Sequence, residues 1–190
     1  YNSLPVNFAT GQSLASTPLF RDALLALSLH CKPLTRQRVM ALLRSPYVLG
    51  TDFADSPAGL NLLQAVFSLG TDPIDWADWL HCVSRCAPAS VLAEALGVGK
   101  PEPSPLGEQS LVQWAEVIRA QLSQWGWPAR RALDSMEYQQ LGRFEASLDQ
   151  LIGLANMTGA VSYERALSLW QAVLEDTVFQ PKTEPTDLQV

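Results

Sequence analysis

Cys82 and Cys86 stand four residues apart with His81 beside the first, the cluster whose residue types come nearest to a metal-ligand set. On a helix that spacing puts both thiols one turn apart on one face, as paired ligands require. A tetrahedral site needs two more donors, and His30, Cys31 and His81 are the candidates, although His81 projects from a different face than its neighbour. Unpaired helical cysteines ordinarily serve as small buried apolar residues, so core packing is the preferred reading and neither metal nor cofactor is expected. Asp72, Asp75 and Asp78 recur at three-residue spacing. Paired acids can run general acid–base chemistry. Acids in a first helical turn are explained as well by the helix dipole, which is the preferred reading.

Basic residues are few but grouped. Arg36, Arg38 and Arg44 flank one expected helix, and Arg130 and Arg131 follow Trp127-Pro128. Arginine suits phosphate by charge and fork geometry, and a loop aromatic beside it suits base stacking. These five arginines and Trp127 are the candidate DNA contacts. Solvated surface arginines are the competing reading, which an acidic background favours. No nucleophile elbow, Gly-Lys-Ser/Thr phosphate loop or His-Glu-x-x-His pair occurs, so this chain is not expected to be an enzyme.

The elements that would position these residues read as helices. Thr17-Pro18 announces one, with Phe20, Leu24 and Leu27 at helical spacing. Thr35 can cap a second bearing Val39, Leu42 and Leu43, which stops at Ser45-Pro46. Ser56-Pro57 starts a third with Leu60, Leu63 and Phe67 on its stripe, and Asp72-Pro73 a fourth with Trp76, Trp79, Leu80 and Val83 inward. Ser90 to Leu96 adds a short turn of helix, and Gly97 to Gly107 reads as a hinge or loop. Leu111, Trp114, Ile118, Leu122 and Trp125 mark a long amphipathic face that Gly126-Trp127-Pro128 ends. Asp134 and Glu137 have capping-box spacing ahead of a helix carrying Leu141, Phe144, Leu148 and Leu151. Ser162 caps a last helix with Tyr163, Leu167, Trp170 and Leu174. Leu4 to Phe8 reads as a short strand or extended segment, and Leu188-Gln189-Val190 as the first residues of a strand.

The expected fold is all-α, an irregular array of about seven helices with short extended ends. It divides into a first helical half (1–96), a Gly/Pro hinge or loop (97–107), a second half (108–178) and an extended tail (179–190). A net charge of -6 argues against strong stand-alone nucleic-acid binding while leaving room for a local basic patch. The apolar runs are too short to span a bilayer, so no membrane partner is expected. Three cysteines make no disulfide framework, and a reducing, cytoplasmic setting is the default. With no initiator Met and no signal-peptide pattern at Tyr1, an excised segment of a larger protein is expected.

Three stretches carry a resemblance. The first runs from Leu4-Pro5-Val6-Asn7-Phe8 through Gly11 and Ser13-Leu14-Ala15-Ser16-Thr17-Pro18-Leu19-Phe20 to Leu29, and the second is Leu42-Leu43-Arg44-Ser45-Pro46-Tyr47. The third joins Gly126-Trp127-Pro128, Leu133-Asp134-Ser135 and Glu137-Tyr138-Gln139 to Phe179-Gln180-Pro181 and Leu188-Gln189-Val190. Together they resemble the middle of a bacterial family of probable DNA repair proteins related to the AddB subunit of the AddAB helicase-nuclease, and more distantly to RecC. The resemblance implies a helical 2B-like insertion of an inactivated superfamily 1 helicase module, with a PD-(D/E)XK nuclease beyond Val190. It transfers no catalytic residue. It implies an accessory domain for double-strand break processing that guides DNA or docks a helicase partner subunit of the AddA type. The alternatives are a pure protein-protein interaction domain without DNA contact and, resting only on Cys82, Cys86 and the acidic helix, an independent small enzyme.

Overall fold

The computed structural model describes residues 11–49, 53, 55–86, 107–128 and 132–180. The expected Leu4–Phe8 strand, the Ser90–Leu96 turn, most of the Gly97–Gly107 hinge and the Leu188–Val190 strand lie outside them. The fold is mainly helical, with seven helices of eight or more residues, two shorter ones and one two-stranded sheet among the described residues.

A 3₁₀ turn (Leu14–Ser16) leads into α1 (Pro18–Ser28), and α2 (Arg36–Leu43) returns alongside it. Next come α3 (Pro57–Ser68), α4 (Trp76–Cys86), α5 (Leu111–Gln124), α6 (Ser135–Leu141), α7 (Phe144–Gly153), α8 (Ala155–Thr158) and α9 (Tyr163–Asp176). Proline in the first turn of α1 and α3 sits where its missing N–H costs nothing. Ser56, Ser110, Asp134 and Ser162 cap α3, α5, α6 and α9 with side-chain hydrogen bonds, and α5 and α6 carry complete capping boxes. Thr17 and Thr35 occupy N-cap positions without making that bond; Thr17 Oγ1 donates instead to Leu14 O at 2.8 Å.

Three expectations need correction. The helix at Asp72-Pro73 begins only at Trp76, because Asp75 supplies its cap, accepting from Asp78 N at 2.8 Å. The helix behind Asp134 is two helices, α6 and α7, broken at Gly142-Arg143. On α3 the buried set is Gly59, Leu62 and Val66, while Leu60 and Phe67 are 56% and 65% exposed. Apolar residues surround that helix, so its period does not select a face; packing against α2 and α4 does.

Short antiparallel pairings hold the array, one of them joining Gln109 ahead of α5 to Val161 ahead of α9. β1 (Gln12–Ser13) pairs with β2 (Val178–Phe179), tying the segment before α1 to the one after α9. A Cβ at Gly11 would collide with Val178 Cγ1, so a larger residue there obliges that exposed side chain to shift. Leu34 and Ile74 exchange backbone hydrogen bonds of 2.8 and 2.9 Å, joining the α1–α2 turn to the α3–α4 turn. One core runs through the molecule, with Trp79, Trp114, Trp125 and Trp170 fully buried. Their rings and that of Trp127 anchor packing, and four indole N–H groups find acceptors, as buried Trp normally must. Trp114 donates to Val161 O, Trp125 to His30 Nε2, Trp127 to Leu19 O and Trp170 to Ser147 Oγ. No helix among the described residues is long and apolar enough to cross a membrane.

Candidate phosphate-binding groove

The short turn between α1 and α2 makes them an antiparallel hairpin, and buried Asp22 on α1 fixes its register. Its Oδ2 accepts from Ser45 Oγ at 2.6 Å, just past the end of α2, and its Oδ1 accepts from Arg21 Nε at 3.0 Å. Ser45 Oγ in turn accepts from Tyr47 N at 3.1 Å, setting the turn that leaves α2. A carboxylate buried this deeply is tolerable because both oxygens are hydrogen-bonded.

Outside that lock the hairpin opens into a groove of about 810 Å³, closed on one side by Gln171 and Glu175 of α9. Four cations line it: Arg21 and Lys32 from the α1 side, Arg38 and Arg44 from the α2 side. All four are exposed, and among the described residues Lys32, Arg38 and Arg44 enter no ion pair. Two carboxylates share the lining, Asp22 and Glu175, the second accepting from Gln171 Nε2 at 2.7 Å. A local positive field thus sits on a chain of net charge -6. The remaining walls mix polar residues such as Ser13, Ser16 and Gln37 with apolar Ala15, Ala41, Pro46 and half-buried Leu24 and Leu25, and among the described residues no aromatic ring lines them.

Of the candidate DNA contacts, Arg38 and Arg44 stand together in this groove. Arg36 does not join them. Its guanidinium donates to Leu69 O at 2.7 Å and Thr71 O at 3.1 Å, and its backbone N–H donates to Asp72 Oδ1 at 3.0 Å. It straps α2 to the α3–α4 turn, so its donors are directed into the protein. Trp127 is not an open stacking platform either: it is 7% exposed, with Phe20 and Phe144 at 5.8 and 4.9 Å between ring centroids. Arg130 and Arg131 lie outside the described residues. Arg21 and Lys32 escaped the sequence reading because Arg21 stands alone on α1, and Lys32 falls in the α1–α2 turn, outside the helix that groups Arg36, Arg38 and Arg44. The two helices expected from Thr17 and from Thr35 were the available signal, since folding one back on the other aligns their flanks with Arg38 and Arg44.

The cysteines take packing roles. Cys82 is buried and burial pushes its thiol up, with Cys86 adding to the shift. Cys86 Sγ donates to Asn61 O at 3.5 Å across the α3–α4 cleft. Among the described residues no three His, Cys, Asp or Glu side chains converge on a metal-sized site. Asp72, Asp75 and Asp78 receive hydrogen bonds from Arg36 N, Asp78 N and Thr71 Oγ1, so each is engaged in shaping the α3–α4 turn. No protein-family model, curated protein or solved structure matches the chain.

Proposed function

We propose that this chain is a non-catalytic accessory domain of a DNA repair helicase-nuclease-like protein, and that it guides DNA along the α1–α2 groove. The observation that carries the reading is the gathering of Arg21, Lys32, Arg38 and Arg44 around one groove on an otherwise acidic chain. Exposed cations aimed at one channel suit sequence-independent phosphate contact. The resemblance to AddB-related repair proteins supplies the biological setting, with a helicase subunit of the AddA type as the partner within the parent assembly.

Fluorescence anisotropy of labelled single-stranded, duplex and forked DNA against the chain, from about 50 to 200 mM salt, tests this reading. With three or four phosphates neutralised, log affinity for duplex is expected to fall with log salt at a slope of about -3 to -4. Arg38→Ala and Arg44→Ala are each expected to reduce that slope by about 1. An absence of binding at the lowest salt would remove the DNA reading.

One observation favours a second reading, a protein-docking domain without DNA contact. Leu60 and Phe67 leave an apolar outer face on α3, the kind of surface that protein partners cover.

A further inference from the structure

We infer that the groove holds the sugar-phosphate backbone of one strand at two of its phosphates and leaves the bases outside, an inference that rests on the DNA reading above.

The antiparallel hairpin sets the cations in two pairs. The Asp22–Ser45 bond brings the start of α1 to the end of α2, so Arg21 and Arg44 share one end. Lys32 and Arg38 flank the α1–α2 turn at the other. Along α2, Arg38 and Arg44 are six residues apart. At 1.5 Å rise per residue that separates the two ends by about 9 Å, more than one phosphate can bridge. Each cation pair therefore meets its own phosphate.

The lining also shows what is not recognised. Base stacking needs an aromatic platform, and among the described residues none lines the groove. An acidic peptide would need a pocket for a large anchor, and the apolar lining offers only two half-buried leucines with the small Ala15, Ala41 and Pro46. The serine hydroxyls and glutamine amides among the walls suit phosphate and sugar oxygens. Glu175 opposes an incoming anion and holds the affinity down; Asp22 is already occupied by Ser45 and Arg21.

The test compares a short single strand with one of equal length lacking every base, both titrated against the full chain, with polyglutamate as competitor. The two strands are expected to bind within about twofold of each other, whereas stacking on even one base would open a gap of about fivefold or more. Arg38→Ala and Arg44→Ala should weaken both strands alike. Glu175→Gln should tighten both by about twofold. If the ordinary strand binds and the baseless one does not, the backbone inference falls while the DNA reading stands. If neither strand binds at low salt, both fall. Polyglutamate displacing DNA at an equal concentration of charge would also overturn the inference, in favour of an acidic peptide.

Discussion

His30 shows how one buried side chain ties stability to pH. Its ring lies 4.2 Å from that of Trp76, and its Nε2 accepts a 2.9 Å hydrogen bond from Trp125 Nε1. An acceptor nitrogen carries no proton, so the imidazole is the neutral tautomer with its hydrogen on Nδ1. Burial lowers its pKa from 6.5 to about 4. Across that window the unfolded chain holds a proton that the native protein lacks, so stability rises with pH and is lost as pH falls from about 6.5 toward 4. At 1.36 kcal/mol per unit the loss reaches about 3 kcal/mol. His30→Gln keeps an oxygen acceptor for Trp125 and cannot titrate. Its urea midpoint is expected to drop less between pH 7 and pH 4.5 than that of the parent protein, as followed by tryptophan fluorescence, by about 2–3 kcal/mol of unfolding free energy. Equal drops in both proteins would place the acid sensitivity elsewhere.

At the scale of elements, the helix starts separate caps that bond from caps that only occupy the position. Ser56 Oγ accepts from Gly59 N at 3.0 Å, whereas Thr35 makes no such bond. Ser56→Ala is therefore expected to cost about 1 kcal/mol and Thr35→Ala less than about 0.5, measured by urea unfolding monitored by circular dichroism. Start signals of this kind are what a single sequence shows best. Ser56-Pro57, Asp134 with Glu137, and Ser162 each lie where a helix begins, because capping is a local interaction between residues three apart. Choosing the inner face of α3 is a tertiary matter: Leu60 and Phe67 match the helical period as well as Leu62 and Val66 do. The Gly142-Arg143 break escaped for a related reason. Apolar spacing continues across it from Leu141 to Phe144, and periodicity alone cannot register a change of axis.

Across the whole molecule, Arg38 and Arg44 of the arginine group join Arg21 and Lys32 in one groove, while two other prominent residues are taken out of use. Arg36 is turned inward and Trp127 is covered by Phe20 and Phe144, outcomes fixed by partners up to 108 residues away. The same long-range contacts decide whether the protein unfolds as one unit. Phe20 of α1 lies 5.8 Å from Trp127 and 6.4 Å from Trp170, and Phe144 stands 4.9 and 6.0 Å from those same rings. This four-ring cluster joins α1 to α7, α9 and the turn after α5, and Trp125 bonded to His30 adds a second joint. Cooperative unfolding follows, because neither stretch can expose its apolar face without breaking the other's packing. Phe20→Ala removes an entirely buried ring and is expected to destabilise the protein by about 3–5 kcal/mol. The discriminating measurement is coincidence of probes. Tryptophan fluorescence and far-ultraviolet circular dichroism should give the same urea midpoint in the parent protein, and both should move together in the variant. A variant in which fluorescence shifts while half of the helical signal keeps its original midpoint would show two independent cores, with the ring cluster as a contact between them.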